Sequence, residues 1–195
     1  QAIYWRESPS AFRYAMACHA EVCAGCRRDG ELKMPFVKWS AIAVLLLVTL
    51  LVGAGRLGLL EGSPPLDLGV REGKLKRPSA TPNSVSSQAD SWPDHPQRES
   101  ARIAPLALRG DGPATIARLK ALLQFDPYAR IVDSRADYLY VQYTTPLLKF
   151  VDDLELWFDP TQGVIQVRSS SRLGQSDFGV NRRRVEALRA QLAAS

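Results

Sequence analysis

From Arg27 to Ser195 the chain has no cysteine; Cys18, Cys23 and Cys26 are its only three. That long stretch can form no internal disulfide, which suits a reducing compartment and equally an envelope domain that needs no covalent staple. Histidine is almost as scarce. The only imidazole beyond the apolar run at 39–55 is His95, inside a Pro/Ser-rich segment, where it reads as a solvated loop residue. A Ser-His-Asp triad therefore lacks its base, and Ser169, Ser170 and Ser171 stand in no nucleophile-elbow context. There is no cofactor-binding loop, so no cofactor is expected. A basic stripe interleaved with aromatic or groove-reading residues is also missing. The net charge of +5 is mild and spread along the chain, so nucleic acid is not an expected partner.

What the sequence does have is one long apolar run. Between Lys38 and Arg56, 17 residues carry no charge and show no polar stripe. A membrane span needs roughly 17–25 residues, and Phe36 and Val37 extend the run past a snorkelling Lys38. Residues 34–60 are therefore read as a transmembrane anchor or signal segment. Small residues at Gly53, Ala54 and Gly55 would suit cleavage, but the run exceeds a typical signal core, which favours an uncleaved single-pass anchor. Arg27, Arg28, Lys33 and Lys38 before the run place the N-terminus in the cytoplasm and the soluble part on the periplasmic or lumenal side. Arg56, Arg71, Lys74, Lys76 and Arg77 after it weaken that asymmetry.

Residues 1–33 read as an N-terminal extension, because the run opening at Met34 resembles a natural membrane-protein start. "CHAEVCAGC" offers Cys18, His19, Cys23 and Cys26 to zinc, but no second Cys-x-x-Cys follows at finger distance, and no metal is expected. Residues 61–101 are rich in proline, serine and charge and lack apolar periodicity. They read as an extended tether, with the part from Pro82 open to lying along the domain as ordered coil.

Residues 102–195 read as an α+β domain. Ile116, Leu119, Leu122 and Leu123 mark one helix face, with Pro113 in its first turn. "ARIVDS", "DYLYVQYTT", "DDLELWFD" and "VIQVRSS" give about four strands. Val185, Leu188 and Leu192 stripe a last helix from about Asn181. Short connections require antiparallel pairing, so two helices should pack on one face of a two-layer domain. The other face would show Tyr140, Gln142, Glu155, Trp157, Gln166 and Arg168, either solvated or covered by something docked there through Trp157 and Tyr140.

Three arginines, Arg182, Arg183 and Arg184, stand at the start of that last helix, where partial positive charge disfavours cations. They fan by about 100° each, so one partner cannot satisfy them all. Asp152, Asp153 and Glu155 on a strand, and Asp177 just upstream, are the available acids. Period two puts Asp153 and Glu155 on one face and Asp152 on the other, which suits ion pairs better than a metal. The alternative is an anion site, with Arg168, Arg172, Asp177, Asn181, Arg182 and Arg183 as candidate ligand residues and helix amides beside them. No catalytic residue is assigned.

"PNSVSSQA", "IAPL", "FVDDLELWFDP" and "GVIQVRSSSRLGQSDFGVNRRRVEALR" resemble the domain-of-unknown-function 1499 family over roughly residues 80–194. That resemblance implies a bacterial or plastid-type domain behind a membrane or export segment, and it brings no activity with it. The family usually has Cys after Pro-Asn, where this chain has Ser84. The resulting expectation is a membrane-anchored, non-catalytic envelope domain that binds a partner or supports assembly. An enzyme or sensor for an anionic ligand is the alternative.

Overall fold

A computed structural model describes residues 33–195 of the chain, so Cys18, His19, Cys23 and Cys26 lie outside the described residues. These residues fall into two compact units, one ending at Val48 and the other Thr49–Ser195.

Helix α1 (Lys33–Arg56) runs across that division. Its stretch Phe36–Arg56 is 21 residues long with mean hydropathy 2.2, long and apolar enough to cross a membrane. At about 1.5 Å per residue this reaches about 30 Å, the thickness of a bilayer's hydrocarbon core.

The second unit is α+β. Its short elements are strand β1 (Ser84–Ser86), a 3-10 turn at Ala89–Ser91, helix α2 (Arg98–Ala101) and strand β2 (Leu106–Ala107). Helix α3 (Gly112–Gln124) follows, then strands β3 (Ala129–Ser134), β4 (Tyr138–Thr144), β5 (Val151–Asp159) and β6 (Val164–Ser171), and finally helix α4 (Val180–Ala194). The sheet order is β1-β6-β5-β4-β3, with β2 also on β6, and every pair is antiparallel. The four strands expected from alternation are therefore present. Two short ones complete the sheet along the outer edge of β6.

Local chemistry sets the boundaries. Asp111 caps α3, its carboxylate accepting from the Ala114 amide at 2.7 Å, with Pro113 in the first turn. Between β5 and β6, the Asp159 carboxylate accepts from the Thr161 and Gln162 amides, and Gly163 supplies the positive φ of 65° that closes the turn. Ile116, Leu119 and Leu123 of α3 and Val185, Leu188 and Leu192 of α4 pack on Leu139, Val141, Leu154, Leu156, Ile165 and Val167 of the sheet. Both long helices of the domain therefore cover the same face.

The opposite face is also covered, and by the segment read as a tether. Leu75 packs with Tyr138 and Trp157 in a second small core, with Val70 and Tyr140 against it. Backbone and side-chain hydrogen bonds pin this cover: the Gln88 side chain bridges the Leu75 amide and the Gly73 carbonyl, and Ser87 N–H donates to the Val167 carbonyl. With Trp157 only 8% exposed, that face offers no free docking surface at Trp157, contrary to one possibility raised by the sequence. Composition misled here because the buried apolar residues of the segment are isolated among prolines and serines, and its polar residues find partners far away in sequence.

Candidate functional site

β5 carries Asp152, Asp153 and Glu155, and alternation sends them to both faces. Asp152 faces the helices; Asp153 and Glu155 face the covering segment. Each meets an arginine. Arg184 Nη2 of α4 lies 2.6 Å from Asp152 Oδ2, with both side chains largely buried. The Arg184 guanidinium also stacks on Tyr143, 4.3 Å from the ring centre. Arg172 makes a two-pronged contact with Asp153, Nη2–Oδ1 2.8 Å and Nε–Oδ2 2.9 Å, while Tyr140 Oη donates to the same carboxylate at 2.6 Å. Arg168 Nη1 stands 3.4 Å from Glu155 Oε2 in direct cross-strand register.

Glu155 is fully buried. Its Oε1 accepts from the Gly69 amide and from Tyr138 Oη, both at 2.8 Å. Burial pushes its carboxyl above the usual range, and Arg168, the Gly69 amide and Tyr138 only partly offset that. The Arg172 guanidinium is held further up by its hydrogen bonds to Asp153.

Helix α4 starts at Val180, one residue ahead of the expected start near Asn181. Gly179, with φ of 77°, is the cap residue, and Asn181 lies inside the helix. The capping carboxylate belongs to Asp177, which accepts from the Gly179 amide at 2.9 Å and the Asn181 amide at 2.8 Å. Burial pushes Asp177 up, but those two amides, with the Asn181 side chain and the residue's own amide, outweigh it and hold the carboxyl below its ordinary value. Asn181 is instead a buried junction. Its Oδ1 accepts from Ser169 Oγ and from Arg184 Nη1, and its Nδ2 donates to the Asn83 carbonyl and Ser171 Oγ.

The three neighbouring arginines part company, as their fan requires. Only Arg184 reaches a carboxylate. Arg182 donates to the Ser100 and Arg102 carbonyls, holding the end of α2. Arg183 donates to the Phe178 carbonyl at 2.9 Å. The six candidate ligand residues therefore do not converge on one point. Arg168 and Arg172 lie on the covered face, while Asp177, Asn181, Arg182 and Arg183 gather around the helix start.

Arg168 and Arg172 do border a cleft of about 440 Å³ that Asp153, Ser170, Lys76 and Arg77 also line. Lys76 pairs with the half-exposed Asp67 at 2.5 Å. Arg77 is exposed, and its side chain has no ion-pair or hydrogen-bond partner among the described residues. Sequence reasoning missed Lys76 and Arg77 as site residues because they fall in the presumed tether; their only signal was the basic pair itself. Among the described residues, no group of three or more His, Cys, Asp and Glu could hold a metal ion.

No curated protein and no solved structure matches the chain. The family model described as "Protein of unknown function (DUF1499)" matches residues 74–192. Its span takes in all six strands, the covering segment from Lys74 and the arginine-rich turn, more than half of the 195 residues, and the chain belongs to the DUF1499 family.

Proposed function

We propose that the chain is a single-pass, membrane-anchored domain of the cell envelope that binds a partner or supports envelope assembly without catalysing a reaction. Its soluble part lies on the periplasmic or lumenal side. The supporting observation is the use made of its distinctive arginines: Arg168, Arg172 and Arg184 each meet a buried carboxylate. A guanidinium committed in this way holds strands and helix together and is not free for a substrate. The apolar helix Phe36–Arg56 supports the anchor.

Alkali extraction of membranes containing the full chain tests the anchor. The chain stays with the lipid pellet, and release into the supernatant contradicts it. Protease protection of the same membranes tests the side. The full chain in nanodiscs, screened against ester and phosphoester substrates, tests the absence of catalysis. Turnover abolished by Ser170→Ala at unchanged melting temperature would overturn that part.

The cleft supports a second reading, an anionic ligand held by Arg77 and Lys76 against the Arg168–Arg172 wall. On that reading inorganic phosphate raises the melting temperature by mass action, and Arg77→Ala removes the rise. No rise at millimolar phosphate excludes it.

A further inference from the structure

We propose that one end of the domain's sheet is a lipid-docking face that rests on the bilayer in which α1 is anchored; this builds on the membrane reading above. The end in question holds the start of β3, the β4–β5 connection and the β6–α4 loop. Phe125, Leu147, Leu173 and Phe178 are exposed there, Phe125 at 89% and Phe178 at 87%. Leu57 and Leu59, just past the apolar helix, are exposed as well. Among the described residues outside α1, only Leu66 and Val132 expose a large apolar side chain elsewhere. A soluble domain scatters such residues; gathering them at one end marks an interaction surface.

The chain path identifies the occupant. A Cβ on Gly55, in the last turn of α1, would collide with the Leu148 carbonyl, so the helix end abuts the β4–β5 connection. A Cβ on Gly62 would lie 2.8 Å from Arg172 Cβ, so the chain meets the β6–α4 loop a few residues later. Five residues separate Arg56 from Gly62, and the six steps between them reach at most about 22 Å. An anchored helix therefore holds this end of the sheet at the bilayer surface, where its apolar side chains meet an apolar phase.

Phe178 is the most deliberate element. Its φ is 51°, unfavourable for an aromatic residue. The conformation is fixed from three sides: Ser176 Oγ accepts from its amide, Arg183 donates to its carbonyl, and Asp177 accepts from the next amide. A strained backbone held so firmly around an outward-facing phenyl ring serves presentation of that ring. Beside it, Thr145, Phe150, Val151, Leu173 and Val180 line a largely apolar groove of about 330 Å³ that can receive lipid chains.

The test uses the full chain in nanodiscs whose lipids are brominated near the headgroup, with a tryptophan added singly as Phe178→Trp, Leu147→Trp or, at the opposite end of the sheet, Gln162→Trp. Difference emission against wild type isolates the added ring, and native Trp39 within α1 reports insertion. Blue-shifted, bromine-quenched emission at 178 or 147, with water-like, unquenched emission at 162, is the expected result. Water-like emission at both 178 and 147 while Trp39 is quenched overturns the docking face and leaves that end open to a protein partner. Absence of Trp39 quenching overturns the anchor, and the docking face with it.

Discussion

Arg184 and Asp152 meet at 2.6 Å between the N-terminal part of α4 and the start of β5, with Asn181 bonded to the same guanidinium. This contact explains how an arginine is tolerated at the positive end of a helix. The Asp177 carboxylate serves the free amides there, and the guanidinium is carried off the helix axis to an acid on the sheet.

Asn181→Ala should cost about 2 kcal/mol or more. It removes four hydrogen bonds at a fully buried amide and takes away the acceptor of the buried Ser169 hydroxyl. Urea unfolding of the full chain in detergent measures it. A loss within about 0.5 kcal/mol, as for an ordinary surface change, contradicts the junction.

Leu75→Ala tests whether the covering segment belongs to the fold. Leu75 is 2% exposed against Tyr138 and Trp157. The expected loss is about 2–5 kcal/mol, with a red shift in Trp157 emission as water enters. A free tether would show neither change.

Asp177→Asn keeps an acceptor for the helix amides and deletes the charge. The folded state holds this carboxyl below its ordinary value, so its contribution is present above the unfolded value and is lost as pH falls through the folded one. The wild type's advantage over the variant is therefore full above about pH 5 and shrinks below about pH 4. Glu155 works with the opposite sign, since burial raises it, and is common to both proteins. An advantage that is constant with pH contradicts the capping role.

Gly112→Ala should destabilise by about 1–3 kcal/mol although alanine favours helix, because a Cβ there would collide with the Phe158 ring. Phe158→Leu in the same chain should restore part of the loss. A neutral Gly112→Ala contradicts the close approach of α3 to β5.

The central fold was legible in the sequence because its signals are periodic. Leu154, Leu156 and Phe158 alternate with Asp153, Glu155 and Trp157, and Ile116, Leu119 and Leu123 recur at helical spacing. Period two also separated Asp152 from Asp153 and Glu155, whose arginine partners come from different parts of the chain. The covering segment was not legible. Leu75, Val85 and Ala101 have no periodic neighbours, and Gln88 and Ser84 are buried through hydrogen bonds to residues the chain alone does not reveal. The cap was ambiguous for a related reason: Asp177 and Asn181 are both good capping residues, and only the left-handed Gly179 between them decides that the helix starts at Val180. Nor could residue type show that Arg182 and Arg183 end on carbonyls, since any backbone oxygen within reach serves a guanidinium.

The account turns on whether the guanidiniums are held by the domain's own acids. A double-mutant cycle with Arg184→Ala, Asp152→Ala and their combination, followed by urea unfolding, measures that directly. Each single change should cost about 3–5 kcal/mol by stranding a buried charge, and the double change should cost much less than their sum. Additive losses, with no coupling between the two positions, would contradict the framework role and leave Arg184 free to bind a ligand.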